Sequence, residues 1–133
     1  MRIWRAALDA AIVHARNAAP AECCGVLLGN ASGIVEAVPA RNVSGDPNRF
    51  SIDPRDHIGA RRDGRTRGLD VLGFYQSHPR SAPVPSATDR AEASYPDLVH
   101  LIVSLEREPP ETRAFMIDSG KVEELRLQIE DAP

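Results

Sequence analysis

Two short stretches bring together residue types that could do chemistry: Gln76-Ser77-His78-Pro79 and Pro85-Ser86-Ala87-Thr88-Asp89. His78 offers an imidazole nitrogen and Asp89 a carboxylate, both ligand types that suit zinc. A catalytic zinc keeps three protein ligands and one open position for water. A separate carboxylate near that water can take its proton and pass it to a leaving amine. Glu22, just ahead of the apolar run from Cys23 to Leu28, stands where a strand edge would present such a carboxylate. Taken singly, these residues have plainer readings. Ser86 with Asp89 reads as a helix capping box, His78 before proline as a turn residue, and a lone glutamate as a solvated one.

The elements that must position them can be read from periodicity and punctuation. From Arg2 to Ala18, Trp4, Leu8, Ala11, Ile12 and Ala15 fall at helical spacing, and Ala19-Pro20 ends the pattern, so a packing helix is expected there. Cys23 to Leu28, Gly29-Asn30 and Gly33 to Val38 read as a hairpin with Glu22 at the mouth of its first strand. Residues Arg41 to Asn48 read as a loop, Arg49 to Ile52 as a short extended piece, and Asp53-Pro54 as the start of a helix reaching about Arg62. Leu69 to Tyr75 is strand-like and delivers the chain into Gln76-Ser77-His78-Pro79. A loop from Pro79 to Pro85 leads to Ser86 as N-cap of a further helix. Tyr95-Pro96-Asp97 is a turn, and Leu98–Leu105, Thr112–Ile117 and Val122–Ile129 are three strands. The expected architecture is α+β, one domain over residues 1–133, with a mixed sheet flanked by helices in three layers and a closed sheet disfavoured.

Joint spacing lifts the candidate residues above their plainer readings. Gly73-Phe74-Tyr75-Gln76-Ser77-His78-Pro79, then Pro85-Ser86-Ala87-Thr88-Asp89 with ten residues between His78 and Asp89, closely resembles the JAMM (Mov34/MPN/PAD-1) metalloprotease signature. Pro20-Ala21-Glu22-Cys23-Cys24-Gly25-Val26-Leu27-Leu28-Gly29 resembles the upstream strand of that family. The likeness covers nearly the whole chain and is greatest to the small prokaryotic branch. It implies a JAMM-like, cytidine-deaminase-like fold and a bound Zn2+ with His78 and Asp89 among its ligands. It further implies Glu22 as the general base and Ser86 as the hydroxyl that steadies the oxyanion. The activity implied is hydrolysis of an amide or isopeptide bond at the C-terminal tail of a ubiquitin-like or sulfur-carrier protein.

Gln76 departs from the signature, standing where its first metal-binding histidine belongs. An amide oxygen is a poorer zinc ligand than an imidazole nitrogen, so weaker metal binding is expected. Three arrangements follow: Gln76 Oε1 ligates a weakly held zinc, another group or water fills the position, or the metal is lost. In the last case the domain is a catalytically silent peptide-binding or scaffold module. His57 is expected on a helix face rather than at the metal.

The remaining features narrow the function classes. Hydrophobic residues make up 42% and charged residues 26%, a globular composition, and no apolar run approaches the ~20 residues of a membrane-spanning helix. A net charge of −3 and dispersed aromatic residues disfavour nucleic acid. The N-terminus lacks the apolar core of a secretion leader, and adjacent Cys23 and Cys24 are poorly placed to bridge, so a cytoplasmic protein with buried structural thiols is expected. Arg61, Arg62, Arg65 and Arg67 form a basic cluster, read first as a solvated helix end and second as a dock for an acidic partner. His14 and His100 read as structural or surface histidines, Trp4 as a core or interface anchor, and a homodimer through the helices is compatible with the family resemblance.

Overall fold

The computed structural model describes residues 1–46 and 49–131; Pro47 and Asn48, within the loop expected over 41–48, lie outside the described residues, as do Ala132 and Pro133. In chain order the elements are β1 (Arg2–Trp4), α1 (Arg5–Ala18), β2 (Cys24–Asn30), β3 (Gly33–Ala40), α2 (Pro54–Thr66), β4 (Asp70–His78), α3 (Ala87–Glu92), β5 (Val99–Ser104), β6 (Glu111–Asp118), β7 (Lys121–Leu125) and β8 (Gln128–Glu130). The strands form one mixed sheet in the order β7-β6-β5-β4-β2-β3-β1-β8. The β4–β5, β1–β3 and β1–β8 pairs are parallel and the others antiparallel.

Strand alternation divides the interior into cores on opposite faces of this sheet. Leu27 of β2 and Tyr75 of β4 join Ala7, Leu8, Ala11 and Ala15 of α1 in one core. Their neighbours Val26, Leu28 and Phe74 join Ala60 of α2 in another. On that second side Ala93, the residue that ends α3, packs beside Ile102, Phe115 and Ile117. The result is the expected helix–sheet–helix layering, with each fully buried aliphatic side chain stabilising the fold by about 1.5–3 kcal/mol.

Local chemistry explains the element ends. Alanine and leucine favour α1, and the Ala19-Pro20 step stops it. Asp53 caps α2 by accepting the Arg55 amide, and Pro54 occupies the first turn. Gly33, at φ 119°, supplies the left-handed backbone that the β2–β3 turn requires. Gly25 answers a packing need, because a Cβ there would meet the Tyr75 ring at 2.1 Å.

The structure corrects the expected elements in several places. The helix expected from Arg2 begins at Arg5, because Arg2–Trp4 instead form a strand that pairs Ile3 with Ile34 on one side and Ile129 on the other. α2 runs on to Thr66, and β4 continues through Gln76, Ser77 and His78, so these three residues end a strand rather than open a loop. The single strand expected over Val122–Ile129 is two strands, β7 on one edge of the sheet and β8 on the other. Only Arg126 and Leu127 join them, which limits the Cα separation of Leu125 and Gln128 to about 11 Å. The hydrogen-bond ladder stays open, yet the sheet curls until its two edges nearly meet.

Candidate metal centre

The end of β4 positions the first part of the site. Gln76 and His78 alternate with Tyr75 and Ser77, so they share the α2–α3 face with Phe74. Both are buried, at 3% and 5% exposure. The other alternating residue, Ser77, ties β4 to the chain segment that carries Glu22. Its Oγ accepts the Cys23 amide at 2.8 Å, and its own amide donates to the Cys23 carbonyl at 3.1 Å. Asn42 Nδ2 donates to the Glu22 carbonyl at 3.2 Å from the opposite side. Glu22 is thus held by its backbone at the edge of the site, half-buried.

The loop after β4 is pinned back by Ser104 Oγ, which donates to the Ser81 carbonyl at 2.6 Å. It presents the Ala82 carbonyl 2.9 Å from His78 Nδ1. Next, Ser86 caps α3: its Oγ accepts the Asp89 amide at 3.0 Å, while Asp89 Oδ2 accepts the Ser86 amide at 2.9 Å. The expected capping box is present, and the same carboxylate does a second thing. Asp89 Oδ2 lies 3.2 Å from His78 Nε2, and Gln76 Oε1 lies 3.1 Å from that nitrogen.

Those contacts leave a proton deficit. A carbonyl can only accept, so His78 Nδ1 must carry a hydrogen toward Ala82. In the neutral ring Nε2 is then a lone pair facing two oxygens. With Gln76 Oε1 turned to Nε2, the cluster is satisfied by a cation, either a proton on Nε2 or a metal ion among the three donors; with the amide turned over, its NH2 would donate to Nε2 instead. Burial alone would push the His78 pKa down. The hydrogen bonds to Asp89 and Ala82 and the charges of Asp89 and Glu22 outweigh it, and the net direction is up. For Asp89, burial pushes up but the His78 and Ser86 hydrogen bonds hold it below its ordinary value. The donor spacing also suits zinc: tetrahedral bonds of about 2.0 Å place adjacent donors ~3.3 Å apart. The set is one imidazole, one carboxylate and one neutral amide oxygen; among the described residues no three His, Cys, Asp or Glu side chains gather. The Nδ1 bond to the Ala82 carbonyl fixes the ring's orientation and leaves Nε2 pointing at the other two donors.

Glu22 faces this cluster. Burial raises its pKa to about 7, the His78 charge opposes the rise, and Asp89 and Asp46 add to it. A carboxylate poised there can accept and return a proton near neutral pH. The Ser86 hydroxyl does not spend its own hydrogen on the Asp89 amide, so that donor is available to an oxygen gaining charge.

Beside Gln76, Ser86 and Asp89 opens a cavity of about 480 Å3. Its walls include His57, Phe74 and Tyr95, with ring centroids 5.1 to 6.0 Å apart. An ion pair between Arg49 and Glu92 joins the loop to α3 at this cavity. His57 therefore sits in an aromatic wall, away from the donor cluster. His100 lines the same cavity; its ring donates to the Tyr95 backbone, and its Nε2 has no hydrogen-bond partner among the described residues. Sequence reasoning singled out Glu22, Gln76, His78, Ser86 and Asp89, and the structure brings the last four together with Glu22 alongside. It missed Ser77, Asn42 and the Ala82 carbonyl. Ser77 could have been found from its place between two candidate ligands; a backbone carbonyl leaves no sequence signal.

Comparison with known proteins places the chain in a family and gives its fold solved counterparts. Residues 5–118 match the family described as prokaryotic homologs of the JAB domain. The chain is 43% identical over 105 residues to the desampylase of Haloferax volcanii, covering 74% of this chain and 76% of that protein. It is 30% identical over 121 residues to the CysO-cysteine peptidase of Mycobacterium tuberculosis, covering 88% and 82%. A protein of Desulfitobacterium hafniense solved in solution superposes with a TM-score of 0.90 at 32% identity, over 99% of this chain and 94% of that one. A JAMM structure described as a metalloprotease-like zinc site in the proteasome and signalosome shares the fold, with a TM-score of 0.58 at 20% identity over 98% of both chains.

Proposed function

The chain belongs to the prokaryotic homologs of the JAB domain, and from that premise we propose that it is a zinc-dependent JAMM-type peptidase or isopeptidase acting at the C-terminal tail of a ubiquitin-like or sulfur-carrier protein. The observation that carries this reading is the convergence of Gln76 Oε1, His78 Nε2 and Asp89 Oδ2 at a spacing that suits a bound cation. The relatives support the substrate class, one being a desampylase and another a CysO-cysteine peptidase.

In this reading Gln76, His78 and Asp89 hold the metal. A zinc ion held by them would supply Lewis acidity to a scissile carbonyl and to water. Glu22 takes a proton from the attacking water and delivers it to the leaving amine. Ser86 donates its hydroxyl hydrogen to the oxygen on which charge develops. His78 is kept in register by its bond to Ala82, and Glu22 by the Cys23–Ser77 pair. The aromatic wall of His57, Phe74 and Tyr95 gives the tail an apolar surface to rest on.

The test is elemental analysis of protein purified without chelator, together with cleavage of a carrier protein extended at its C-terminus. Near one zinc per chain with cleavage is expected; absence of both overturns the reading. The neutral amide of Gln76 favours a second reading, a peptide-binding module that does not cut. Gln76→His separates the two: zinc and cleavage in that variant alone would identify a disabled protease. Dimerisation through the helices belongs with this second reading, and a monomer at high concentration removes it. Buried free thiols at Cys23 and Cys24 support a reducing compartment such as the cytoplasm. Among the described residues no helix is long and apolar enough to cross a membrane.

A further inference from the structure

The arginine cluster on α2 is not absorbed by the reaction chemistry. A second cavity, of about 310 Å3, is lined by Arg61 and Arg65 and shares His57 and Tyr95 with the first. The two cavities therefore adjoin across the His57–Tyr95 wall, the first beginning at Gln76 and Asp89 and the second ending at two exposed guanidinium groups. Arg67 is neutralised by Glu36 and Asp63, whereas Arg61 and Arg65 make no ion pair among the described residues. One carboxylate, Asp70, lines the arginine end, leaving an excess of one positive charge. The opposite end holds Asp89 and, beside it, Glu22. Arg49 and Glu92, which line the first cavity, cancel each other.

We propose that the two-cavity groove is a docking surface for the substrate's extended tail and that Arg61 and Arg65 select tails bearing acidic residues upstream of the scissile bond. This rests on the tail-cleaving reading above. Charge complementarity draws acidic side chains of the tail to the arginine end, where the side chains leave one positive charge in excess. The fold also sets a spacing. Phe74 lies two strand residues from Gln76, about 7 Å. Arg61 and Arg65 lie one and two helical turns beyond His57, about 6 and 12 Å along α2. At about 3.3 Å per extended residue, the acidic positions fall roughly four and six residues before the scissile bond. An apolar residue roughly two before it rests on Phe74, His57 and Tyr95.

The test uses the full chain carrying Glu22→Gln and fluorescein-labelled peptides of a carrier-like tail, with Glu, Gln or Lys at the fourth and sixth positions before the scissile bond. Anisotropy at low salt is expected to show the Glu peptide binding about tenfold tighter than the Gln peptide, with the advantage shrinking as salt screens the contact. Adding Arg61→Glu and Arg65→Glu should reverse the preference toward the Lys peptide, a gain that a misfolded protein cannot produce. Adding Arg2→Glu and Arg126→Glu, an equal charge change at the far sheet edge, should leave the Glu preference in place. Equal affinities for Glu and Gln peptides, or equal effects of the two double substitutions, overturn the proposal. Cleavage of all three peptides by the parent chain at equal KM would sink this inference and leave the peptidase reading standing. Charge-selective binding without cleavage of any peptide would sink the peptidase reading alone.

Discussion

The two faces of β4 hold the same kinds of polar group and treat them differently. On the α1 face, Tyr75 and Ser77 find partners within the protein: the tyrosine hydroxyl lies 2.7 Å from His14 Nδ1, and Ser77 Oγ takes the Cys23 amide. On the α2–α3 face, Gln76 and His78 converge with Asp89 on a place where every contributing atom is a lone pair, and nearby His100 Nε2 is left without a partner. A buried polar group without a partner costs about 1–3 kcal/mol, so converging acceptors of this kind need a proton or a bound cation between them. On this strand a polar group paired by one fixed donor and acceptor serves structure, whereas acceptors converging on one place form a site. Substitutions on the two faces should accordingly change different quantities.

The largest effect is expected from Asp89→Ala, which removes the anionic donor from a cluster whose third member is only an amide. Metal content by elemental analysis should fall to background and hydrolysis with it. Folding stability should drop by only about 1 kcal/mol, for the lost half of the capping box. A variant that retains one metal per chain would show that the carboxylate merely caps α3, and the contrast between faces would fail.

Next comes Glu22→Gln, expected to cut cleavage by about 10²–10⁴-fold while leaving metal content intact. It also carries a pH signature in chelated protein. Burial lifts the Glu22 pKa from its ordinary 4.5 to about 7, so between these values the folded state binds more protons than the unfolded one. This group's stabilising share is fully present below pH 4.5 and is lost as pH rises through 7. Relative to the parent, Glu22→Gln should therefore gain stability as pH rises across that window. Half-exposure screens the effect to about 1–2 kcal/mol. Denaturant melts at pH 5 and pH 8 read it directly, and parallel curves would mean that Glu22 is as well solvated folded as unfolded.

This division was partly legible before any coordinates. Glu22, His78, Ser86 and Asp89 could be singled out because their spacing is a property of the chain, and the Asp53 and Ser86 caps because a cap is a local bond. The strand at Arg2–Trp4 was hidden, since Trp4 and Leu8 continue a helical spacing that pairing with β3 and β8 overrides. The break at Arg126–Leu127 was hidden for a related reason. Nothing in the residues Val122 to Ile129 says that the two halves pair with strands on opposite sheet edges. The aromatic wall of His57, Phe74 and Tyr95 draws on three separate elements, and its members are too far apart in sequence for any periodicity to connect them.

Gly25→Ala probes the dry face by volume. The added methyl would sit 2.1 Å from the Tyr75 ring, which is fixed by His14 at its far end, so either the ring or β2 must shift. Overpacking of this kind costs about 1–3 kcal/mol, and a thermal melt should show it. Because β2 starts two residues after Glu22, some loss of cleavage is expected as well. No change in the melt would mean that the α1 face is looser than its burial implies.

The smallest effect separates the faces most cleanly. Tyr75→Phe keeps the ring over Gly25 and deletes only the hydroxyl, costing about 1 kcal/mol for the hydrogen bond to His14. Tyr75 points away from the donor cluster, so metal content and cleavage should match the parent. His14 also gives the parent fold an acid limit. Burial lowers its pKa, so in acid the unfolded state binds the extra proton, and this share of stability is complete above about pH 6.5 and is lost as pH falls below it. Since burial rather than the tyrosine causes that shift, Tyr75→Phe should lower the whole stability curve while leaving its acid slope in place. An activity loss out of proportion to the stability loss would mean that the two faces of β4 are coupled through the strand.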